Sequence, residues 1–201
     1  MPFARAYMKI ICIGRNYQEH ARELNNAIPT EPVIFLKPET ALLTNNRPFI
    51  YPSFSKNIHH EIEVVLKIDK TGKNFNAIGI GIDFTARDIQ DHCKKNGLPW
   101  EKAKAFDHSA VISNFISKEK FQDLSHLHFS LDINGKKVQS GNTADMIFSF
   151  ETLLKAISRY FTLQENDLIF TGTPAGVGAV HHGDTLTGYL ESQAILHFVI
   201  Q

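Results

Sequence analysis

Alternation of apolar and polar positions, more than any helical stripe, dominates the hydrophobic pattern of this chain. Residues 9–13 read as a first strand ending at Gly14, and 58–68 as a longer strand rich in β-branched residues. The turn signal Asp69-Lys70-Thr71-Gly72 closes that run, and 77–82 form a further strand leading to Asp83. In the second half, HFSLDINGKKV carries Asn134-Gly135, a strong two-residue hairpin signal. DLIFTG at 167–172 and AILHFVI at 194–200 are additional strands. Three helices are predicted between them. The first spans 17–24, with Asn16 as N-cap, Glu19 completing a capping box, and Asn25-Asn26 and Pro29 as its stop. The second starts after Thr85, read as its N-cap with Asp88 three residues on, and stops at Asn96-Gly97. The third covers 150–161, with an apolar face at Leu153, Leu154 and Ile157. Long strands with few helices indicate a β-rich α+β domain, not an alternating βαβ fold. There is no repeat or Pro/Ser-rich linker, so 8–201 reads as one domain. Met8 opens the strand-like MKIICIG, which marks residues 1–7 as an extension.

Composition narrows the function classes. The chain has 201 residues, 43% hydrophobic and 21% charged, with zero formal net charge. These are globular values, and the absent basic surplus argues against nucleic acid as a partner. No apolar run approaches a membrane span, and MPFARAY is too short and polar to be a secretory signal. The two cysteines, Cys12 and Cys93, form no C-x-x-C pair. That excludes a cysteine zinc site and suits a reducing compartment such as the cytoplasm.

The chemistry-bearing pattern is Glu61-Ile62-Glu63. Residues two apart on a strand share a face, so the two carboxylates point one way while Ile62, Val64 and Leu66 point to a core. Adjacent carboxylates repel, and a divalent cation would relieve that repulsion, with Asp83 supplying a third oxygen ligand. An all-oxygen set with room for water favours Mg²⁺, with Mn²⁺ as the alternative. On spacing alone, a solvated strand face plus a helix cap is an equally open reading. TGTPAGVG at 171–178 is no phosphate loop, because no Gly-Lys-Ser/Thr follows. Its backbone N–H groups, at Gly172 among others, and the Thr171 or Thr173 hydroxyl could instead meet a substrate carboxylate.

Five motifs in register, GRNYQEH at 14–20, HHEIE at 59–63, GIDFTARDIQ at 81–90, GLPWEKAKAFD at 97–107 and TGTPAGVG, resemble the fumarylacetoacetate hydrolase family. The likeness is to its short acylpyruvate hydrolase and oxaloacetate decarboxylase branch, and it covers nearly all of the chain from Lys9 onward. It implies a mixed β-sandwich roll, a homodimer, and a metal held by Glu61, Glu63 and Asp83. It also implies that Arg87, Gln90 and Lys104 contact substrate or organise the metal shell, and that His20 and Glu23 form a catalytic pair on a lid. Lys37 matches a lysine near the cleft. Independently of the family, His20 and Glu23 at i and i+3 share a helix face, as a water-activating pair or as a surface pair. Arg87 could equally pair with Asp91, and segment 145–148 is expected near the cleft or a subunit contact. The segment joining Glu63 to Asp83 is shorter than the family pattern, through either a trimmed loop or a missing stretch.

The expected substrate is a small 2-oxo acid, chelating the cation through its carboxylate and ketone oxygens. The first expectation is hydrolysis of a 3-acylpyruvate through a stabilised pyruvate enolate, with His20 as base and Lys104 stabilising charge. The same site would support oxaloacetate decarboxylation or tautomerisation, or isomerisation of 2-hydroxyhepta-2,4-diene-1,7-dioate. A catalytically silent binding module is the non-enzyme alternative.

Overall fold

A computed structural model describes residues 8–24 and 27–201. The 1–7 extension and the Asn25-Asn26 stop therefore lie outside the described residues. In chain order the strands are β1 (Ile10–Gly14), β2 (Val33–Lys37), β3 (Leu42–Leu43), β4 (Ile58–His60) and β5 (Ile62–Ile68). They continue with β6 (Phe75–Asp83), β7 (Thr85–Ala86), β8 (Ala110–Ile112), β9 (Ile116–Ser117), β10 (His128–Ile133) and β11 (Lys136–Asn142). The last four are β12 (Leu168–Phe170), β13 (Gly178–Ala179), β14 (Thr185–Leu190) and β15 (Gln193–Val199). Four short α-helices are interspersed: α1 (Gln18–Glu23), α2 (Arg87–Asn96), α3 (Glu101–Lys104) and α4 (Phe150–Ile157). The fold is β-rich α+β.

The large sheet runs β2-β1-β12-β5-β6-β8-β3, with β9 added beside β6. A four-stranded sheet, β11-β10-β14-β15, packs across it, and a small sheet, β13-β4-β7, closes one end. Period-two alternation explains the packing. Ile62, Val64, Leu66 and Ile68 of β5 join Ile78, Ile80 and Ile82 of β6 in the main core, together with Leu131, Leu186 and Leu196 of the second sheet. The sheets approach so closely at Gly188 that a Cβ there would lie 2.6 Å from Ile80 Cδ1. On the opposite face of β5, Val65 packs with Ile10, Cys12 and Phe170 in a second, smaller core.

Three expectations need correction. The single 58–68 strand is divided at Glu61: β4 pairs with β7 and β13, while β5 pairs with β6 and β12, so the chain changes sheets there. Asn16 does not cap α1. Tyr17 occupies the N-cap, and Asn16, fully buried, donates to Phe148 O (3.1 Å) and Thr171 O (2.8 Å) and accepts from Phe148 N (2.8 Å). Tertiary partners prevail over a local cap because the Phe148 N–H and the Phe148 and Thr171 carbonyls all meet the Asn16 amide inside the fold. Thr85 does not cap α2 either; Ala86 precedes that helix, and Asp88 instead accepts from Ser55 Oγ (2.6 Å) and Lys56 N (2.9 Å).

Other local signals hold. Gly97 ends α2 with φ 63°, and Asn134 and Gly135 turn the β10–β11 hairpin with φ of 52° and 77°. The third helix ends at Ile157 instead of 161, and α3 was not foreseen. The short connection after Glu63 closes as a hairpin: β5 and β6 stay paired from Ile62↔Ile82 to Ile68↔Phe75. Segment 145–148 sits against Asn16, whose carbonyl accepts from Ile147 N at 2.8 Å.

Candidate active site

The sheet change at Glu61 brings the candidate residues together. Glu61 precedes β5, Glu63 lies within it, and Asp83 ends the paired strand β6, its N–H donating to Glu61 O at 2.9 Å. One carboxylate oxygen from each of the three lies within 4.8 Å of the others, and all three side chains are buried. Gln139 braces the turn. Its Oε1 accepts from Ile62 N (3.0 Å) and contacts His60 Nδ1 (2.9 Å), while its Nε2 donates to Thr173 Oγ1 (2.9 Å) and Pro174 O (3.0 Å).

Cations surround the carboxylates. Lys104 Nζ donates to Glu61 Oε2 (2.7 Å), Asp83 Oδ2 (2.8 Å) and Thr85 Oγ1 (2.6 Å). Arg87 donates to Glu61 Oε1 (2.6 Å) and to Gln90 Oε1 (2.7 Å), so the alternative Arg87–Asp91 pair does not form. Lys37 Nζ is 2.8 Å from Asp83 Oδ1 and donates to Ser109 Oγ (2.9 Å) and to Lys104 O. Burial pushes the Glu61 carboxyl up, but Lys104 and Arg87 reverse this and hold it well below the usual carboxylate range. Glu63 goes the other way: burial and the neighbouring Asp83 and Glu61 charges raise it, against the Gly172 N–H and Lys104.

The set fits a divalent cation. Three oxygen donors converge, and Asp83 Oδ1 has no well-directed hydrogen bond despite its nearness to Lys37 Nζ. Lys104 Nζ already bridges two of the carboxylates as a positive charge would. Glu63, the carboxylate with least compensation, is the one most in need of a cation.

His20 is buried in α1 with Nδ1 3.3 Å from Glu23 Oε2, and Glu23 Oε1 accepts from Gly176 N at 3.0 Å. This ties α1 to the 171–178 loop. In that loop Gly172 N donates to Glu63 Oε2 (2.7 Å), Thr171 Oγ1 to Val64 O (2.9 Å) and Thr173 Oγ1 to Ile62 O (2.8 Å). The loop thus clamps β5 directly, with both threonine hydroxyls donating to its backbone. His20, Glu61, Glu63, Asp83, Arg87 and Lys104 all line one small cavity, together with Gln90 and Thr173. Glu23 and Lys37 stand behind this wall.

Sequence reasoning overlooked Thr85, Ser109, Gln139 and Arg15. Thr85 was legible, because it lies two residues beyond Asp83 in extended chain and so shares its face. The other three carry no local signal.

An acidic triad balanced by buried cations and faced by a carboxylate-linked histidine is an arrangement that could hold a divalent cation. The chain belongs to the fumarylacetoacetate hydrolase family: the family described as Fumarylacetoacetate (FAA) hydrolase C-terminal matches residues 9–200. It is 42% identical over 203 residues to bovine mitochondrial oxaloacetate tautomerase FAHD1, covering 95% of this chain and 88% of that protein. It is 43% identical over 189 residues to Escherichia coli oxaloacetate tautomerase YcgM, covering 89% and 86%. The crystal structure of Pseudomonas aeruginosa fumarylpyruvate hydrolase in complex with Mn²⁺ and pyruvate superposes with a TM-score of 0.90 at 33% identity, covering 96% of this chain and 89% of that one. Members of the family are enzymes. Among the described residues, no helix is long and apolar enough to cross a membrane.

Proposed function

We propose that this protein is a divalent-metal-dependent enzyme that forms and reprotonates the enolate of a small 2-oxo acid, with oxaloacetate tautomerisation as its reaction. The observation that carries this is the juxtaposition, in one cavity, of His20 with the triad Glu61, Glu63 and Asp83. The names of the 42% and 43% identical relatives support the choice of substrate.

Glu61, Glu63 and Asp83 would hold the cation, Mg²⁺ or Mn²⁺, which when bound polarises the 2-oxo group and disperses developing negative charge. With Nδ1 directed at Glu23, His20 has Nε2 as its basic atom. Nε2 takes a proton from the carbon next to the ketone, and Glu23 stabilises the resulting imidazolium. Lys104 holds its ammonium proton firmly, since Asp83 and Glu61 more than offset the effect of burial. It therefore acts as a fixed positive charge toward the enolate, not as a base, its three N–H groups being held by Glu61, Asp83 and Thr85. Delivery of that proton from His20 to the former ketone oxygen gives the enol, and the same transfer from oxygen back to carbon gives the ketone.

A second reading, hydrolysis of a 3-acylpyruvate, is supported by the same His20–Glu23 pair, which could activate a water, and by the fumarylpyruvate hydrolase likeness. Assays on metal-supplemented protein with oxaloacetate and with acetylpyruvate separate the two. His20→Ala should lower the favoured reaction by roughly 10²–10⁴-fold while Mn²⁺ binding persists. Unchanged enol–keto exchange in that variant would exclude His20 as the base, and EDTA-insensitive turnover would exclude the metal.

A further inference from the structure

The mouth of the cavity has a different character from its floor. Arg15 and Lys94 stand there beside Trp100, among the less buried residues of its lining, while Arg87 is buried below them. Arg87, Gln90 and Lys94 stand at i, i+3 and i+7 of α2 and so share one helix face. Arg87 is engaged by Glu61 and Gln90, yet its buried Nε has no hydrogen-bond partner. Among the described residues, Arg15 and Lys94 enter no ion pair. Lys94 Nζ lies 5.7 Å from the Trp100 ring centroid. Partial burial and the Arg87 and Arg15 charges lower the Lys94 pKa, against Asp91 and Glu61, so these cations sense one another.

Arg15 directly follows β1 with φ 61°, a left-handed backbone that is uncommon for a long side chain and needs support from its surroundings. Its neighbour Asn16 supplies that support through three hydrogen bonds, the one to Thr171 O buried and the two to Phe148 part-buried. The turn sends Asn16 into the interior and leaves Arg15 on the cavity wall.

We propose that Arg15 and Lys94 form a subsite for the distal carboxylate of a four-carbon 2-oxo diacid, selecting dicarboxylates over pyruvate-like monocarboxylates. This rests on the reading above, in which the chelating end of the ligand occupies the triad. There the floor carboxylates are already matched by Lys37, Lys104 and Arg87, and among the described residues neither Arg15 nor Lys94 forms an ion pair, Asp91 acting on Lys94 only from a distance. A second ligand carboxylate would supply one, with the guanidinium fork giving direction and the ammonium giving charge.

The unreactive pair malate and lactate shares one chelating end and differs in the distal carboxylate. Calorimetric titration of Mn²⁺-loaded protein with each should show tighter binding of malate. In Arg15→Gln and in Lys94→Gln, malate affinity should fall roughly tenfold, while lactate affinity changes no more than about twofold. The Lys94 side chain is exposed near the end of α2, so its variant keeps the test open should Arg15→Gln fold poorly. Equal binding of malate and lactate by the unaltered protein, or equal loss of both in the variants, would overturn the proposal. A separate oxaloacetate turnover assay on the unaltered protein distinguishes the two levels. No turnover with malate preference intact removes the tautomerase reading and leaves the subsite standing.

Discussion

Glu63→Gln should stabilise the metal-free protein and abolish its stabilisation by metal. In the folded protein the Glu63 carboxyl is raised by burial and by Asp83 and Glu61, so folding favours its protonated form. A group of this kind costs nothing at pH values below its unfolded pKa of about 4.3. Above that, the cost of folding grows by about 1.4 kcal/mol per pH unit until the folded pKa is reached. Glutamine keeps the acceptor for the Gly172 N–H and carries no charge, so it escapes this term. A melting temperature shifts by roughly 2–4 °C per kcal/mol for a chain of this size. Metal-free Glu63→Gln should therefore melt above the parent at pH 7, the gap opening by roughly 3–6 °C per pH unit until the raised pKa is reached, and level with it near pH 4. Adding Mn²⁺ at a hundred times its dissociation constant should stabilise the parent by about 2.7 kcal/mol and the variant far less. Thermal melts from pH 4 to 8, with EDTA or with Mn²⁺, measure all of this. A variant that is less stable at pH 7, a difference that does not grow with pH, or an undiminished metal increment would each refute the reasoning.

Three further outcomes follow from the same geometry. Lys104→Met removes the ammonium that bridges Glu61 and Asp83, so metal-free stability should fall by about 3–5 kcal/mol, with Mn²⁺ recovering much of the loss in a melt. Asn16→Ala removes the side-chain partner of the buried Thr171 carbonyl and of the part-buried Phe148 N–H and carbonyl, which should cost about 2–4 kcal/mol in chemical denaturation. Gly172→Ala places a Cβ 2.6 Å from Asn16 Cβ at a φ of 102° and should displace the Glu63 clamp, weakening metal affinity in calorimetry.

Much of this was legible in local sequence because its causes are local. Alternation in 62–68 and 77–82 requires one face apolar, which puts Glu63 on the other face and sets the β5–β6 hairpin. Asn134-Gly135 and Gly97 carry their turn geometry in their own backbones. Where the expectation failed, a residue had two competent uses. Asn16 and Thr85 are good helix caps in isolation, worth about 1 kcal/mol each. Once the chain is folded, Asn16 serves two buried loops and Thr85 accepts from a buried ammonium, and these uses prevail because leaving such groups unpaired costs more.

The sequence by itself determined the β-rich architecture, the pairing of Glu61 with Glu63, and, through motif register, the family. Tertiary structure alone decided what those carboxylates experience. The change of sheets at Glu61, the approach of Lys104 from α3 and of Lys37 from β2, and the Gly172 clamp come from segments far apart in the chain. Their combined field pulls Glu61 down and pushes Glu63 up. No spacing rule contains that difference, because it depends on which charges share a buried space and which neighbours reach them.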